Sequence, residues 1–262
     1  MIPVAITGAA GRMGQRLVAL AKQSGRFEVV GAVERPGHEA LGRDAGEVAG
    51  IGPIGVPVTA DLRATPRVLV DFTAPASMRQ WLASCRGRGV AMVIGTTGLQ
   101  PADQAAIDAA AANVAVLQAP NMSLGVNLLF RVAAEVAKRL GDEYDVEVVE
   151  GHHRFKKDAP SGTAMGLADA ILAATGKTRD ALVYDRHGDD CPRKPGEVGM
   201  HALRIGDEVG RHTAYFAALG ERLELTHVAT NRDTFVHGAL RAAAWLAGRP
   251  PGRYSMADVL GL

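Results

Sequence analysis

The sequence predicts an α/β protein in which a doubly wound, mainly parallel sheet is followed by an α+β domain with an open mixed sheet. Short apolar strands alternate with amphipathic helices over residues 2–122, an order typical of parallel sheets covered by helices on both faces. A long amphipathic helix is predicted from Gly125 to Leu140. Beyond it, strand patterns are joined by glycine-containing turns, which favours a second domain of the α+β class.

Composition limits the classes of function. The 262 residues are 47% hydrophobic and 22% charged, with a formal net charge of +1. This balance is ordinary for a globular protein, and it provides no global field that favours nucleic acid or a membrane surface. Cys85 and Cys191 lack CxxC spacing, and no H-E-x-x-H string occurs. We therefore expect neither a disulfide scaffold nor a metal site.

The apolar runs of the chain predict a cytoplasmic protein without a membrane partner. Residues 1–6 have the pattern of a strand and lack the basic segment and long apolar stretch of a signal peptide. No apolar run approaches the ~20 residues that span a bilayer.

A glycine-rich turn follows the first predicted strand, Ile2 to Thr7. Gly8, Gly11 and Gly14 form a G-x-x-G-x-x-G pattern ahead of a helical run from Gln15 to Gln23. In dinucleotide-binding turns the first glycine allows the tight turn and the second lets the pyrophosphate approach the backbone. The third lets the helix pack on the strand. The pattern predicts a Rossmann-like domain; a structural β–α turn that binds no cofactor is the alternative.

The second predicted strand, Phe27 to Val33, ends in Glu34 and Arg35. An acidic side chain at this place suits the ribose hydroxyls of NAD, whereas an arginine suits the 2′-phosphate of NADP. The two side chains favour opposite cofactors, so we expect NADPH or NADH, with either use of both cofactors or a preference for NADPH.

Further elements complete the first domain. Strands are predicted at 67–73, 90–94 and 114–118, and helices at 77–87 and 101–112. Residues 36–61, rich in Gly and Pro, are interpreted as a surface excursion. Gly95 to Gly98 ends a strand with small residues that let a flat ring approach the backbone. Asp71 is interpreted as the end of its strand, with a contact to the cofactor as the alternative. A doubly wound sheet binds ligands outside the carboxyl ends of its strands.

The second domain is predicted to contain about four strands. They lie at 144–150, 199–204, 213–218 and 222–228, with a helix at 162–174 and a long mobile loop at 176–198. A helix at 235–247 and the tail 256–262 are expected to return to the first domain. The predicted boundaries are 1–123, completed by 233–262, for the dinucleotide-binding domain and 124–232 for the second domain.

The most informative stretch runs from Glu150 to Met165. It holds two adjacent histidines, an arginine and two lysines between a predicted strand and a predicted helix start. A helix start offers N–H groups and positive partial charge to an anion. Imidazole and ammonium groups beside it predict a site for a carboxylated substrate that needs protons moved. The alternative is a solvated basic loop.

With these motifs, the chain resembles the dihydrodipicolinate reductase family over nearly its whole length. The H-H-x-x-K-x-D-x-P-S-G-T string is the most specific part, and Gly220 to His227 and Asn231-Arg232 extend the likeness. The resemblance implies NAD(P)H-dependent reduction of 4-hydroxy-tetrahydrodipicolinate to tetrahydrodipicolinate, with loss of water, in diaminopimelate and lysine biosynthesis. It also implies two domains joined by a hinge, and a homotetramer built through the second domain's sheet.

The resemblance implies a role for each matching position. His152 matches a proton donor or acceptor and Lys156 a proton donor, while His153, Gly162 and Thr163 match substrate contacts. The positions that match cofactor contacts are Gly8, Ala9, Ala10, Gly11, Arg12, Met13, Glu34, Arg35, Gly95, Thr96, Thr97, Ala119, Pro120, Asn121 and Met122.

Three positions depart from the family pattern. Ala74 stands where some relatives carry a basic residue near the cofactor, Phe155 replaces a more usual polar residue, and Lys157 adds a charge beside Lys156. Arg232 is a candidate for bracing the loop, with a surface or interdomain ion pair as the alternative. The remaining histidines are expected to be structural or exposed: His187, His201, His212, His227 and His237.

Two other functions share part of this sequence pattern. A short-chain dehydrogenase or sugar epimerase needs Tyr-x-x-x-Lys, and none of the four tyrosines has a lysine four residues later. A regulatory protein that senses NADPH without turnover would bind the cofactor regardless of Lys156. Such a protein has no need for the cationic loop.

Overall fold

The computed structural model describes residues 1–262, which form two compact units, Met1–Leu124 with Asp233–Leu262 and Gly125–Arg232. In chain order the strands are β1 (Ile2–Thr7), β2 (Phe27–Val33), β3 (Val58–Thr59), β4 (Val68–Asp71), β5 (Ala91–Ile94), β6 (Ala115–Gln118), β7 (Asp145–His152), β8 (Leu182–Val183), β9 (Val198–Arg204), β10 (Gly210–Ala218), β11 (Glu221–Ala229) and β12 (Gly252–Tyr254). The α-helices are α1 (Arg12–Gln23), α2 (Ala45–Val48), α3 (Pro75–Arg88), α4 (Pro101–Ala111), α5 (Leu124–Leu140), α6 (Gly162–Ala174), α7 (Asp233–Leu246) and α8 (Met256–Leu260).

The first unit is built on a seven-stranded sheet in the order β12-β6-β5-β4-β1-β2-β3. Every pairing in it is parallel. Side chains alternate between the two faces of a strand, so Val4 and Ile6 pack with α1 and α7 while Ala5 packs with α3 and α4. The predicted doubly wound α/β sheet is confirmed.

Short elements occur where the sequence predicted irregular chain. The 36–61 segment contains α2 and β3, and β3 pairs with β2 as the edge strand. Asp44 organises the turn, because its carboxylate accepts hydrogen bonds from the amides of Gly46, Glu47, Ile54 and Gly55. Between α7 and the 256–262 tail, β12 pairs with β6. Such short elements depend on a neighbouring strand rather than on a local apolar pattern.

The second unit is built on a five-stranded mixed sheet in the order β11-β10-β7-β9-β8. β10 is antiparallel to both β7 and β11, whereas β9 is parallel to β7 and β8. α5 and α6 cover the sheet, with Leu129, Leu167, Ile171 and Phe216 in the core. The open mixed sheet is confirmed. It has one strand more than the sequence predicted, because two residues of the expected 176–198 loop pair with β9.

None of the helices combines the length and apolar composition that crossing a bilayer requires.

Candidate active site

The glycine turn at the end of β1 has the backbone shape that a dinucleotide needs. Gly8 has φ 62°, in the left-handed region, where side chains other than glycine are strained. A Cβ on Gly14 would lie 2.0 Å from the Gly8 carbonyl oxygen, so only glycine fits. α1 starts after Gly11 without a side-chain cap. Its first amide groups therefore have no side-chain acceptor at the place where a pyrophosphate would bind.

A cavity of about 630 Å³ lies beside this turn. Glu34 stands at its edge and accepts hydrogen bonds from the amides of Ala10 (3.2 Å) and Arg35 (2.9 Å). The Arg35 side chain is exposed. The cavity is also lined by Gly8, Gly11, Phe72, Thr73, Ala74, Ser77, Gln80 and Trp81. An oriented carboxylate and an exposed guanidinium at one opening suit the ribose and phosphate of an adenosine moiety.

Asp71 is the centre of a buried hydrogen-bond cluster at the carboxyl ends of β1, β4 and β5. Its carboxylate, with no exposed surface, accepts hydrogen bonds from the hydroxyls of Thr7 (2.7 Å), Thr73 (2.7 Å) and Thr96 (2.5 Å). The Thr96 oxygen accepts a further bond from the Thr73 amide. We call these four residues the Asp71 cluster. It fastens the strand ends on which the predicted cofactor residues stand.

The other residues expected to contact cofactor differ in exposure. Thr97 and Pro120 are exposed, as are Gly11 and Arg12, whereas Thr96 is buried with its hydroxyl on Asp71. A Cβ on Gly95 would lie 2.4 Å from the Phe72 ring, so this glycine makes room for a side chain of the protein itself. Buried or half-buried are Ala9, Ala10, Met13, Ala119, Asn121 and Met122.

In the second unit, β7 continues to His152, two residues beyond the predicted end. Gly151 pairs with Arg211 on β10, and His152 pairs with Arg204 on β9, so neighbouring strands extend it. The two-residue period of a strand places Glu150 and His152 on one face. His152 is therefore held by the sheet, while His153 begins the loop.

Glu150 is fully buried, and both of its carboxylate oxygens are engaged. Oε2 lies 2.6 Å from His152 Nδ1 and 3.1 Å from Arg204 Nη1. Oε1 accepts from Arg204 Nη2 (2.8 Å) and from the Ser161 amide (3.0 Å). Burial alone would raise the pKa of Glu150, but the hydrogen bonds from His152, Arg204 and Ser161 outweigh it and lower the pKa to about 2. We call these residues, with His212, the Glu150 cluster.

His212 is 3% exposed and meets the His152 ring edge-on, with centroids 5.2 Å apart. Its Nε2 lies 3.1 Å from the Ser161 hydroxyl, which also caps α6 by accepting from the Ala164 amide. Burial, followed by the charge of His152, lowers the pKa of His212 to about 4. The ring is therefore neutral near neutral pH. The sequence did not predict its place beside His152, because the only local signal was a histidine within a strand.

The loop between β7 and α6 carries the remaining predicted groups. Lys156 Nζ bonds Asp158 Oδ1 at 2.8 Å, and this bond holds the pKa of Asp158 below its usual range. Arg204 Nη2 also donates to the Asp158 carbonyl oxygen at 2.5 Å. Arg204 is thus the arginine that braces the loop, whereas Arg232 is exposed.

His153 packs beside the exposed Phe155, and its Nδ1 is buried without a hydrogen-bond partner. Gly162 and Thr163 are the first two residues of α6. Nowhere do three or more His, Cys, Asp or Glu side chains cluster in a way that could hold a metal ion.

The chain matches two family models along its length. One, described as "Dihydrodipicolinate reductase, N-terminus", matches residues 2–122. The other, described as "Dihydrodipicolinate reductase, C-terminus", matches residues 125–260.

Curated relatives match over the full length. A protein of Anaeromyxobacter sp. (strain Fw109-5), named 4-hydroxy-tetrahydrodipicolinate reductase, is 51% identical, covering 100% of this chain and 98% of the relative. A protein of the same name from Myxococcus xanthus (strain DK1622) is 50% identical with the same coverage.

Solved structures share the fold. A dipicolinate-bound dihydrodipicolinate reductase from Paenisporosarcina sp. TG-14 superposes with a TM-score of 0.77 at 24% identity, covering 98% of each chain. An amine dehydrogenase from Mycobacterium smegmatis superposes with a TM-score of 0.68 at 16% identity, covering 97% of this chain and 95% of the other.

Proposed function

The chain belongs to the dihydrodipicolinate reductase family, and we propose that it reduces 4-hydroxy-tetrahydrodipicolinate to tetrahydrodipicolinate, with loss of water, using NADPH or NADH. The reaction is a step of diaminopimelate and lysine biosynthesis. The proposal rests mainly on the segment from the end of β7 to the start of α6. It combines a carboxylate-bound histidine, a lysine and a helix start within the string that is specific to the family.

The first unit is the proposed dinucleotide-binding domain, and its residues fit that role. The Gly8–Gly14 turn leaves no room for a side chain at Gly14, and the adjoining cavity of about 630 Å³ is large enough for part of a dinucleotide. A bound nicotinamide cofactor would supply the hydride. The Glu34 carboxylate, oriented by two amides, would accept from ribose hydroxyls, and Arg35 would pair with a 2′-phosphate. Both cofactors are therefore proposed to work.

The second unit is the proposed substrate-binding and oligomerisation domain, with the homotetramer expected of the family. The substrate is a cyclic dicarboxylate, so the cationic loop offers donors where its carboxylates would bind. Lys156, His153 and the amides that start α6 supply them. As the ring gains electron density, His152 or Lys156 would supply the proton to carbon or nitrogen. The enzyme is expected to work in the cytoplasm, without nucleic acid or membrane partners.

The test monitors the oxidation of NADPH and of NADH through their absorbance. The substrate is generated in situ by the preceding synthase. Wild type, His152→Ala and Lys156→Ala are compared, with Lys157→Ala as the matched control because its side chain is exposed one residue further along. We expect turnover in wild type and control, and roughly 10²–10⁴-fold lower kcat in the other two variants. Wild type that binds NADPH but consumes none would instead favour the cofactor-sensing alternative.

A further inference from the structure

We propose that Glu150 is a positioning residue for His152, holding its imidazole with the proton on Nδ1 so that Nε2 is the atom presented to the reacting ring. This inference rests on the proposed function and assigns a role to a residue outside the family string. The arrangement lies wholly within the second unit.

The geometry of the pair sets the tautomer. Glu150 Oε2 and His152 Nδ1 are 2.6 Å apart on the same face of β7. An ionised carboxylate can only accept hydrogen bonds, so the hydrogen in this contact belongs to Nδ1. A neutral imidazole with its proton on Nδ1 carries a lone pair on Nε2. Nε2 is thus the basic atom of this ring: the partly exposed imidazole takes a proton from water there, and Nε2 then donates that proton to the reacting ring.

The carboxylate cannot turn away from the histidine. Each oxygen accepts two hydrogen bonds: Oε1 from Arg204 Nη2 and the Ser161 amide, and Oε2 from His152 Nδ1 and Arg204 Nη1. A two-pronged guanidinium contact fixes the plane of a carboxylate as well as its charge. The low pKa of Glu150, about 2, agrees with a group that stays ionised at every pH where the enzyme would work.

The opposite side of the imidazole is left open. No protein group hydrogen-bonds His152 Nε2, and the side chain is 12% exposed. The backbone next to Nε2 is Gly210, where a Cβ would lie 3.2 Å from that atom. His212 contacts the ring but is neutral near neutral pH, so it adds no second cation beside a protonated His152.

A matched control pair joins β7 to its neighbour β9. Glu147 Oε2 lies 2.7 Å from His201 Nε2, but Glu147 is 25% and His201 38% exposed. Glu147 stands three residues before Glu150, so it faces the other side of the sheet. Both contacts join a carboxylate to an imidazole, but the Glu147–His201 pair is partly exposed and lies outside the Glu150 cluster.

The experiment compares Glu150→Gln, His152→Asn, the double variant and Glu147→Gln in the full-length enzyme. We expect Glu150→Gln to lower kcat by roughly 10²–10⁴-fold, because a glutamine can donate to Nδ1 and favour the wrong tautomer. KM should stay within about twofold, and Glu147→Gln should keep near wild-type kcat. The double variant should be no slower than His152→Asn alone, because Glu150 acts through His152.

Nitrogen-15 NMR of histidine-labelled protein measures the tautomer directly, with the His152 signal assigned by its loss in His152→Asn. We expect Nδ1–H in wild type and increased Nε2–H in Glu150→Gln. A wild-type ring with its proton on Nε2 would overturn the proposal even if Glu150→Gln failed to fold. Full kcat in Glu150→Gln, or additive losses in the double variant, would overturn it as well. Absence of wild-type turnover would instead refute the proposed function, and the tautomer measurement would still stand.

Discussion

Each of the two units contains a fully buried carboxylate near the end of a central strand, but the two carboxylates have different partners. Asp71, at the end of β4, accepts from three threonine hydroxyls. Glu150, near the end of β7, accepts from an arginine, an imidazole and one backbone amide. Burial costs both carboxylates their hydration, and hydrogen bonds compensate in both cases.

The difference in partners shows what each cluster can do. Hydroxyls do not titrate in the working range of an enzyme, so the Asp71 cluster can only join strand ends and hold the neighbouring turns in shape. The Glu150 cluster contains two imidazoles, and a charged carboxylate beside an imidazole controls where its proton resides. One cluster is therefore a scaffold, and the other is suited to proton transfer.

Removing His152 from the Glu150 cluster should have the largest effect. His152→Asn is expected to lower kcat by roughly 10²–10⁴-fold while leaving the Kd for NADH unchanged, since the histidine belongs to the other unit. Steady-state rates and fluorescence titration with NADH measure the two quantities. His201→Asn, on the partly exposed pair, is the control and should retain its rate. If His152→Asn weakened NADH binding as much as it lowered kcat, the division into a scaffold cluster and a proton-transfer cluster would be contradicted.

Acid should destabilise the protein through His212. In the unfolded chain this histidine binds a proton below about pH 6.5, whereas the folded protein resists protonation until about pH 4. The unfolded state therefore binds more protons in this window, and stability falls as pH falls, by up to roughly 3 kcal/mol. His227, whose pKa is also lowered by burial, adds to the same trend.

Urea unfolding between pH 6.5 and pH 4, at fixed protein concentration, checks this dependence. His212→Asn should flatten the loss of unfolding free energy, and His187→Asn, at an 84% exposed side chain, should not. If the unfolding free energy of His212→Asn fell with pH as steeply as that of wild type, this ring would not be one that resists protonation.

Asp71→Asn should weaken the scaffold without touching the chemistry. An amide replaces one of the two accepting oxygens by a donor, so at least one of the three threonine hydroxyls loses its acceptor, and about 1–3 kcal/mol of unfolding free energy should be lost. The Kd for NADH should rise, and kcat at saturating cofactor should stay near that of wild type. Denaturation and cofactor titration measure these effects, with Glu28→Gln at an exposed position of β2 as the control. A large loss of saturated kcat would mean that the Asp71 cluster does more than hold strand ends.

The smallest expected effect concerns cofactor choice. Arg35→Ala should raise KM for NADPH by about tenfold, because one exposed charge-assisted contact to the 2′-phosphate is lost. KM for NADH should change little, since Glu34 keeps its two amide contacts. Steady-state kinetics with each cofactor in turn give the ratio of the two KM values. The same KM change for both cofactors would place Arg35 away from the phosphate.

Local patterns in the sequence predicted most of the first sheet. β1 and β2 have the predicted bounds, and the other central strands differ by one or two residues. The errors lie where pairing partners decide the structure. β3, β8 and β12 have two or three residues each and form only against a neighbour. β7 runs two residues further than its own pattern because β9 and β10 continue beside it.

The sequence by itself determined the order of elements, the glycine turn and the string that holds His152 and Lys156, because helix and strand periods and turn residues are local properties. Only the tertiary structure decided what surrounds those groups. Arg204 reaches Glu150 across 54 positions, His212 reaches Ser161 across 51, and Thr7 reaches Asp71 across 64. The register between distant strands brings these partners together, and no local pattern encodes it.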